Sequence, residues 1–251
     1  MTQVRVTSSH VPEQISPEHM VIPGWDQSRL GPLRVRSLTL PRTGRNLTIV
    51  QPADTDRLLE LAQDDPEEQL PYWAELWPSG IALGDAILLN PDAVCGRFVV
   101  ELGCGLGVTA VAALWAGAEL LVTDYSPEAL LLTHWNCLQN TGRAPATWRL
   151  NWRQPSPEFL ALVESTSLPL VLAADVLYEE RDIVPLLALV ERMITPGGSL
   201  WLAEPGRRTA AMFVERLRTM GWQDDVEYWP GPWPDASDTT VTVAVHRLRR
   251  P

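Results

Sequence analysis

Two acidic residues in the middle of the chain each follow a short apolar segment, and a glycine-rich turn lies between them. Glu101 follows the apolar run from Phe98, and the turn Gly103-Cys104-Gly105-Leu106-Gly107 comes next. Asp124 ends a second apolar run, which begins at Leu120. Glycine has no Cβ and adopts positive φ, so this turn lets a ligand approach the backbone closely. An acid after the second strand can accept hydrogen bonds from both ribose hydroxyls. The spacing therefore predicts half of a nucleotide-binding βαβ unit.

Two classes of cofactor fit such a turn. The stretch from Gly105 to Ala110 aligns with the Gly-x-Gly-x-x-Ala pattern that presses a pyrophosphate onto a helix N-terminus in NAD enzymes. Glu101 directly precedes the glycines, however, and a carboxylate there would repel a pyrophosphate. The same carboxylate suits the cationic amino-acid end of S-adenosylmethionine. We therefore expect S-adenosylmethionine as the cofactor, with S-adenosylhomocysteine as its product, rather than NAD.

Aromatic and amide side chains stand where they could enclose this cofactor. Trp77 lies in the turn just before the cofactor strand, and Asn151 and Trp152 follow the third strand. An amide can hydrogen-bond the adenine edge and an indole can pack on its face; a purely structural role for the tryptophans is the competing interpretation. The residues predicted to bind the cofactor are Trp77, Glu101, Gly103, Cys104, Gly105, Asp124, Tyr125, Asn151, Trp152 and Ala174.

The elements around these residues alternate between strands and helices. Ser79 is predicted to cap a helix towards Asn90, Ser126-Pro127 to begin one that ends at Gly142, and Leu168–Ala174 to form the fourth strand. Three further strands follow, the last from Thr239 to Val245. Seven strands with interleaved helices predict an α/β fold with a Rossmann-like, doubly wound seven-stranded sheet.

An extension precedes this sheet. Residues 1–34 are predicted to be an arm that is flexible or packs late, and Val35 to Val50 a hairpin around Pro41 to Gly44. Asp54 is predicted to cap a short helix that follows. We divide the chain into 1–69, the arm with its hairpin and helix, and 70–251, the cofactor-binding domain.

Composition excludes several classes of protein. All 20 basic residues are arginine, which removes a Walker A loop, a pyridoxal Schiff base and the Tyr-x-x-x-Lys pair of short-chain dehydrogenases. A net charge of −11 argues against unspecific nucleic-acid binding. The three cysteines form no Cys-x-x-Cys pair, so we expect no metal site. No signal peptide or bilayer-spanning run is seen, and we expect a cytoplasmic protein with no membrane partner.

The glycine motif with Asp124 and seven strands resembles the class I S-adenosylmethionine-dependent methyltransferases. The segment Trp77-Pro78-Ser79-Gly80, the pair Asn136-x-x-x-Asn140 and Asp175-x-x-Tyr178 are similar to their lysine-methylating group. Within it, Pro71 to Ala74 and Glu204-Pro205-Gly206-Arg207 resemble the enzymes acting on the electron-transfer flavoprotein β subunit, although Glu204 stands where an aspartate is expected.

The resemblance implies an activity and two catalytic residues. It implies methylation of a lysine presented by a protein, with an electron-transfer flavoprotein subunit as one candidate partner. Asp175 and Tyr178 align with the motif that holds the acceptor amine. Three alternatives stay open: a methyltransferase acting on a small amine such as a nicotinamide-like compound or polyamine, an NAD-dependent oxidoreductase, and a non-catalytic cofactor-binding module. The sequence leaves the oligomeric state open.

Overall fold

The chain folds around one large sheet preceded by a small hairpin. A computed structural model describes residues 22–63, 65, 67, 69–166, 168–234 and 240–251. The strands are β1 (Leu33–Thr39), β2 (Asn46–Pro52), β3 (Phe98–Leu102), β4 (Glu119–Asp124), β5 (Ala146–Arg149), β6 (Leu168–Ala174), β7 (Ile194–Glu204), β8 (Gln223–Pro230) and β9 (Thr242–Arg249). The α-helices are α1 (Gln27–Leu30), α2 (Asp56–Ala62), α3 (Pro78–Leu89), α4 (Val108–Trp115), α5 (Pro127–Thr141), α6 (Pro157–Ser165), α7 (Ile183–Met193) and α8 (Arg208–Thr219).

The large sheet has the predicted seven strands, in the order β5-β4-β3-β6-β7-β9-β8. The first five are parallel, and β9 runs antiparallel to both β7 and β8. From β3, the next two strands along the chain, β4 and β5, are added on one side. The strands from β6 onward are added on the other side of β3. The order therefore reverses between β3 and β6, and such a switch point leaves a crevice beyond the carboxyl ends of the strands.

Helices cover both faces of the sheet, as a doubly wound fold requires. Side chains alternate along β3, so Val99 packs with α3, α4 and α5 on one face while Val100 packs with α6, α7 and α8 on the other. The parallel strands are consequently apolar on both sides. Both layers hold the strand ends rigidly, which fixes the positions of the residues that follow each strand.

Several helix ends follow the sequence prediction closely. The Ser126 hydroxyl accepts a hydrogen bond from the Ala129 N–H, and α5 ends at Gly142, whose φ is +69°. Ser156 and Pro157 start α6 in the same way, with the Ser156 hydroxyl accepting from the Phe159 N–H. The sequence analysis did not predict α6, although the same Ser-Pro signal was present.

Other local predictions were wrong. Trp77, not Ser79, occupies the N-cap of α3, and Ser79 lies in the first turn with its buried hydroxyl unpartnered. Thr55 occupies the N-cap of α2, although Asp54 Oδ1 still accepts from the Asp56 N–H at 3.1 Å. The final strand is Thr242–Arg249 rather than residues 239–245, and Thr239 lies outside the described residues.

The predicted arm is ordered at its end. Residues 1–21 lie outside the described part of the chain, whereas 27–30 form a single helical turn. Asp26 Oδ1 accepts from the Ser28 and Arg29 N–H groups at the start of this turn, and Trp25 Nε1 donates to the Gly31 carbonyl at 2.9 Å. These local bonds explain why a proline- and serine-rich stretch becomes regular before the hairpin.

The hairpin is bonded to the main sheet by side chains of α3 and α5. Asn136 Oδ1 accepts from the Val50 N–H, and its amide nitrogen donates to the Val50 and Leu106 carbonyls. Asn140 makes the equivalent pair of bonds with Thr48, one helical turn later. Asp85 accepts from the Arg42 and Thr43 N–H groups in the hairpin turn. Residues of the hairpin also belong to the apolar core of the α3–α5 layer.

Candidate active site

A cavity of about 420 Å³ lies at the carboxyl ends of the central strands. It is lined by residues that follow β3, β4, β5 and β6, together with the segment before α3 and parts of the N-terminal extension. Of the twelve predicted site residues, ten line it: Trp77, Gly103, Gly105, Asp124, Tyr125, Asn151, Trp152, Ala174, Asp175 and Tyr178. Glu101 and Cys104 are not among the lining residues.

Neighbouring residues pack so closely against one side of the glycine turn that side chains larger than glycine's would not fit there. Gly103 has φ +67°, and a Cβ there would lie 2.8 Å from Val176 Cγ1. Gly105 has φ +51°, and its Cβ would lie 3.4 Å from the Trp73 carbonyl oxygen. Both values are in the left-handed region that favours glycine. The backbone of the turn is thus exposed to the cavity while its other side is packed.

Asp124 lines the cavity, and backbone N–H groups hold its carboxylate. Its Oδ2 accepts from the Gly105 N–H and its Oδ1 from the Ser126 N–H, both at 3.0 Å. Burial outweighs these hydrogen bonds and raises the pKa of Asp124 to about 6. The carboxylate has lone pairs left for two further donors, which the hydroxyls of a ribose would supply.

Glu101 and Cys104 lie behind the turn. Burial first, and the nearby Asp124 carboxylate second, raise the pKa of Glu101 well above its ordinary value, and Glu101 Oε2 is buried without a hydrogen-bond partner. The Cys104 N–H donates to the Thr123 carbonyl, and burial raises the pKa of its thiol. Glu101 is therefore a buried acid with a raised pKa. A cation that binds next to the turn would lower this pKa and allow Glu101 to ionise.

Asp65, Glu67 and Gln69, which precede α3, contact three of the predicted site residues. The Tyr125 hydroxyl lies 3.1 Å from Asp65 Oδ2, and Asn151 Nδ2 donates to Glu67 Oε1 at 3.0 Å. The side-chain amide of Gln69 lies 3.2 Å from the Tyr178 hydroxyl. These contacts tie the end of the N-terminal extension to the loops after β4, β5 and β6.

The indole of Trp152 has a fixed orientation. Its Nε1–H donates to Asp182 Oδ1 at 2.9 Å, and Asp182 also accepts from Arg153 Nε at 2.6 Å. The far edge of the ring reaches the glycine turn, with Cζ3 at 3.6 Å from the Cβ position of Gly103. The polar edge thus faces the protein interior, and the apolar edge borders the cavity.

Asp175, which follows β6 at the predicted acceptor end of the cavity, is unusual in its backbone. Its φ of +56° is the only positive value among the non-glycine residues described, and its N–H donates to the Ala203 carbonyl at 2.9 Å. Its carboxylate receives two bonds from Arg207, Nε to Oδ1 at 2.6 Å and Nη2 to Oδ2 at 3.2 Å. The hydrogen bond to Asp175 raises the pKa of Arg207.

Aromatic rings border this acceptor end. The Tyr72 ring packs edge-on against Tyr178 at 5.1 Å and against Trp77 at 6.0 Å between centroids. The Arg207 guanidinium lies over the Trp77 ring at 5.9 Å. Burial raises the pKa of Tyr178, so its hydroxyl stays protonated near neutral pH. An amine entering here would meet the carboxylate of Asp175, the phenol of Tyr178 and the rings of Tyr72 and Trp77.

Sequence reasoning gave no role in the site to Arg207, Gln69 or Glu67. A usable signal existed for Arg207, because it follows β7, the neighbour of the strand that precedes Asp175, and the ends of adjacent parallel strands meet. No local pattern pointed to Gln69 or Glu67. They lie before α3 in a segment without regular secondary structure.

Two other kinds of site were sought in the described part of the chain. Its His, Cys, Asp and Glu residues form no group of three that could hold a metal ion. None of its helices combines the length and apolar character needed to cross a membrane.

Comparison with known proteins gives a consistent result. A family model described as lysine methyltransferase matches residues 59–219. The electron transfer flavoprotein beta subunit lysine methyltransferase of Danio rerio is 34% identical over 140 residues, which are 55% of this chain and 51% of that protein. The Homo sapiens protein of the same name is 39% identical over 114 residues, 44% of this chain and 39% of the relative. The chain thus spans about half the length of the curated relatives it matches.

Solved structures agree on the fold. The N-methyltransferase NodS from Bradyrhizobium japonicum WM9, solved in complex with S-adenosyl-L-homocysteine, superposes with a TM-score of 0.52 at 17% identity. The match covers 77% of this chain and 96% of that structure. It supports the Rossmann-like architecture of the large sheet.

Proposed function

This chain belongs to the lysine methyltransferase family, and on that premise we propose that it transfers a methyl group from S-adenosylmethionine to a lysine side chain of a protein. One observation carries the proposal. A single cavity is lined by Gly103, Gly105 and Asp124 at one part and by Asp175 and Tyr178 at another. A nucleoside-binding group and an amine-binding group therefore face the same cavity.

The residues present fit S-adenosylmethionine. The turn at Gly103 and Gly105 presents its backbone to the cavity and is packed too closely on its other side to accept a Cβ, and buried Asp124 has lone pairs for two hydroxyls. Asn151 and Trp152 would border the adenine, and Glu101 would complement the cationic amino-acid end from behind the turn. When bound, the cofactor supplies an electrophilic methyl group on a sulfonium.

The acceptor must reach this methyl group as a neutral amine. A free lysine has a pKa near 10.4, so only about one molecule in a thousand is neutral at pH 7. We assign Asp175 to orienting the amine by a hydrogen bond, and Tyr72, Trp77 and Tyr178 to partial desolvation, which favours loss of the proton. Most of the acceleration would come from proximity and alignment, effects worth up to about 7–11 kcal/mol in favourable cases.

A protein substrate is favoured over a small amine because the acceptor end reaches the surface. Tyr72 is 39% exposed and Leu70, which also lines the cavity, is 43% exposed. A pocket for a small amine would enclose its ligand more fully. The name of these relatives suggests an electron-transfer flavoprotein β subunit as one candidate substrate.

The two other classes of function, an NAD-dependent oxidoreductase and a non-catalytic cofactor-binding module, receive less support. The chain has no lysine to pair with Tyr178 in a hydride-transfer relay, and Glu101 would oppose a pyrophosphate. A non-catalytic module would not need a left-handed Asp175 in the same cavity as three aromatic rings. We also propose a reducing compartment such as the cytoplasm, because Cys95, Cys104 and Cys137 are all unpaired thiols.

The test is transfer of tritiated methyl groups from S-adenosylmethionine to a host lysate, resolved by gel electrophoresis and by filtration. A labelled protein band, with methyl-lysine identified by mass spectrometry, is the expected result. Because the chain contains no lysine, methylation of its own lysines cannot contribute. Label confined to the small-molecule fraction would instead indicate a metabolite enzyme.

Asp175→Asn separates cofactor binding from catalysis. Asparagine keeps the size of the side chain but removes its charge, so S-adenosylhomocysteine affinity should change less than about threefold. Methylation should fall by at least about 100-fold, within the 10²–10⁴ range of positioned acid–base groups. Full activity in this variant would contradict the role of Asp175.

A further inference from the structure

The acceptor carboxylate has an internal cation as its partner. Arg207 and Asp175 form a two-point ion pair, and the Asp175 side chain is only 4% exposed whereas that of Arg207 is 35% exposed. Arg207 is thus placed between the buried carboxylate and the solvent, above the Trp77 ring. A lysine that enters the acceptor end meets this pair rather than a free carboxylate.

The loop that carries Arg207 is fixed by the end of the sheet. Glu204 Oε2 accepts from the Gly206 N–H at 2.6 Å and from the Arg207 N–H at 2.8 Å. Behind it, the His246 ring lies 3.8 Å from Glu204 Oε1 and 2.9 Å from Asp224 Oδ2. A series of polar contacts therefore runs from β8 through β9 and β7 to the Arg207 backbone, with hydrogen bonds at both ends and an ionic contact between His246 and Glu204 in the middle.

This pairing has a consequence for the acceptor's proton. An unpaired carboxylate within about 4–6 Å of an amine favours the ammonium form and raises the amine pKa by about 1–3 units. Methyl transfer needs the neutral amine, so such a carboxylate would oppose the reaction while it strengthened binding. A guanidinium on the same carboxylate cancels most of this effect, because the pair has no net charge. Asp175 can then accept a hydrogen bond from the amine without stabilising the ammonium.

We propose that Arg207 is a positioning residue that neutralises Asp175 and so keeps the acceptor lysine in its reactive, uncharged form. This inference rests on the proposed function, since it concerns the same acceptor end. The other ionisable groups that act on Arg207 are Tyr72 and Glu204, while Tyr178 and Asp124 line the same cavity. Burial keeps Tyr178 uncharged, and Glu204 is engaged by backbone N–H groups and His246, so Arg207 is the cation that acts directly on Asp175.

The kinetic test compares Arg207→Met, which removes the charge, with Arg207→Lys, which retains a cation. Arg192→Met is the matched control, because Arg192 pairs with Glu164 in an exposed ion pair outside the cavity lining. The pH dependence of kcat is measured between pH 6 and 10 on the protein acceptor that the wild type labels. For Arg207→Met we expect the acid limb to move up by one to two pH units. Its kcat at pH 7 should fall about 10–100-fold and recover at high pH.

Arg207→Lys should keep a profile within about half a pH unit of the wild type, and Arg192→Met should match it. A loss of kcat in Arg207→Met that is equal at every pH would show a purely structural role and overturn the proposal. An unchanged profile would overturn it as well.

A binding test does not depend on turnover. Proteins saturated with S-adenosylhomocysteine are titrated at pH 7 with N-acetyl-lysine methylamide and with the uncharged N-acetyl-norleucine methylamide. Arg207→Met should bind the cationic probe at least tenfold more tightly than the wild type does, with no change for the norleucine probe. Absence of this gain overturns the proposal. A wild type that methylates no lysine would refute the proposed function, while the binding result would still decide the role of Arg207.

Discussion

Replacing Asp124 by Asn tests the cofactor end of the cavity. Each carboxylate oxygen accepts one backbone N–H, from Gly105 and from Ser126, both at 3.0 Å. An asparagine keeps one acceptor oxygen, and its NH₂ group must face one of these N–H donors. It also loses the charge and one of the two lone pairs that we assign to the ribose hydroxyls. Asp124→Asn should therefore bind S-adenosylhomocysteine much more weakly while it remains folded, since no buried charge is created.

The expected loss of binding free energy follows from the hydrogen bonds that Asp124→Asn removes. Hydrogen bonds to a charged group contribute about 1.5–3 kcal/mol each. Loss of one ribose bond and weakening of the turn give about 2–4 kcal/mol, or roughly a 30- to 1000-fold rise in Kd.

The wild type should also lose affinity for S-adenosylhomocysteine in acid. The pKa of Asp124 in the free protein is about 6, and the ligand requires the carboxylate. Affinity is full above that pH and falls about tenfold per unit below it.

Isothermal titration calorimetry measures both effects. At pH 5, binding to the wild type should release nearly one proton, which two buffers of different ionisation enthalpy would reveal. In Asp124→Asn this proton release and the acid loss of affinity should both disappear. Glu101→Gln is the control, because Glu101 is the other buried acid beside the turn. An affinity in Asp124→Asn within about threefold of the wild type would refute the assignment of Asp124. Acid dependence lost in Glu101→Gln and kept in Asp124→Asn would reassign the proton to Glu101.

Three further changes test how the site is held. Gly103→Ala should abolish cofactor binding, since its Cβ would be 2.8 Å from a neighbouring side chain; Gly142→Ala, with a similar φ but open space, should keep binding and lose only about 1 kcal/mol. Asn136→Ala should lower the free energy of unfolding by about 2–4 kcal/mol in urea titrations, and the less buried Asn140→Ala by less. Burial lowers the pKa of His246, but its carboxylate partners outweigh this and raise it to about 9. The stability it supplies should be complete below about pH 6.5 and lost as pH rises through 9, and His246→Gln should remove this dependence. Equal losses of cofactor binding in Gly103→Ala and Gly142→Ala, or equal losses of stability in Asn136→Ala and Asn140→Ala, would contradict these explanations. So would a pH dependence of stability that survives in His246→Gln.

Most of the fold and much of the site could be predicted from local signals. The glycine turn, Asp124 and the strand before Asp175 are short patterns whose physical meaning depends on near neighbours. Parallel strands bring their carboxyl ends to one edge of a sheet, so residues after β3, β4, β5 and β6 were expected to meet, and they line one cavity. The errors at Ser79 and Thr239 concern element boundaries, where a capping residue and its neighbours give nearly equal signals.

The sequence by itself determined which chemical groups stand at the strand ends, because periodicity and turn chemistry act over a few residues. The tertiary structure alone decided how those groups are partnered. Arg207 meets Asp175 across 32 residues, and Asn136 meets Val50 across 86. Such pairings depend on how layers pack and loops return, and no local pattern encodes them. The sequence therefore predicted that a carboxylate stands at the acceptor end. Only the fold showed that Arg207 pairs with this carboxylate and so sets the net charge there.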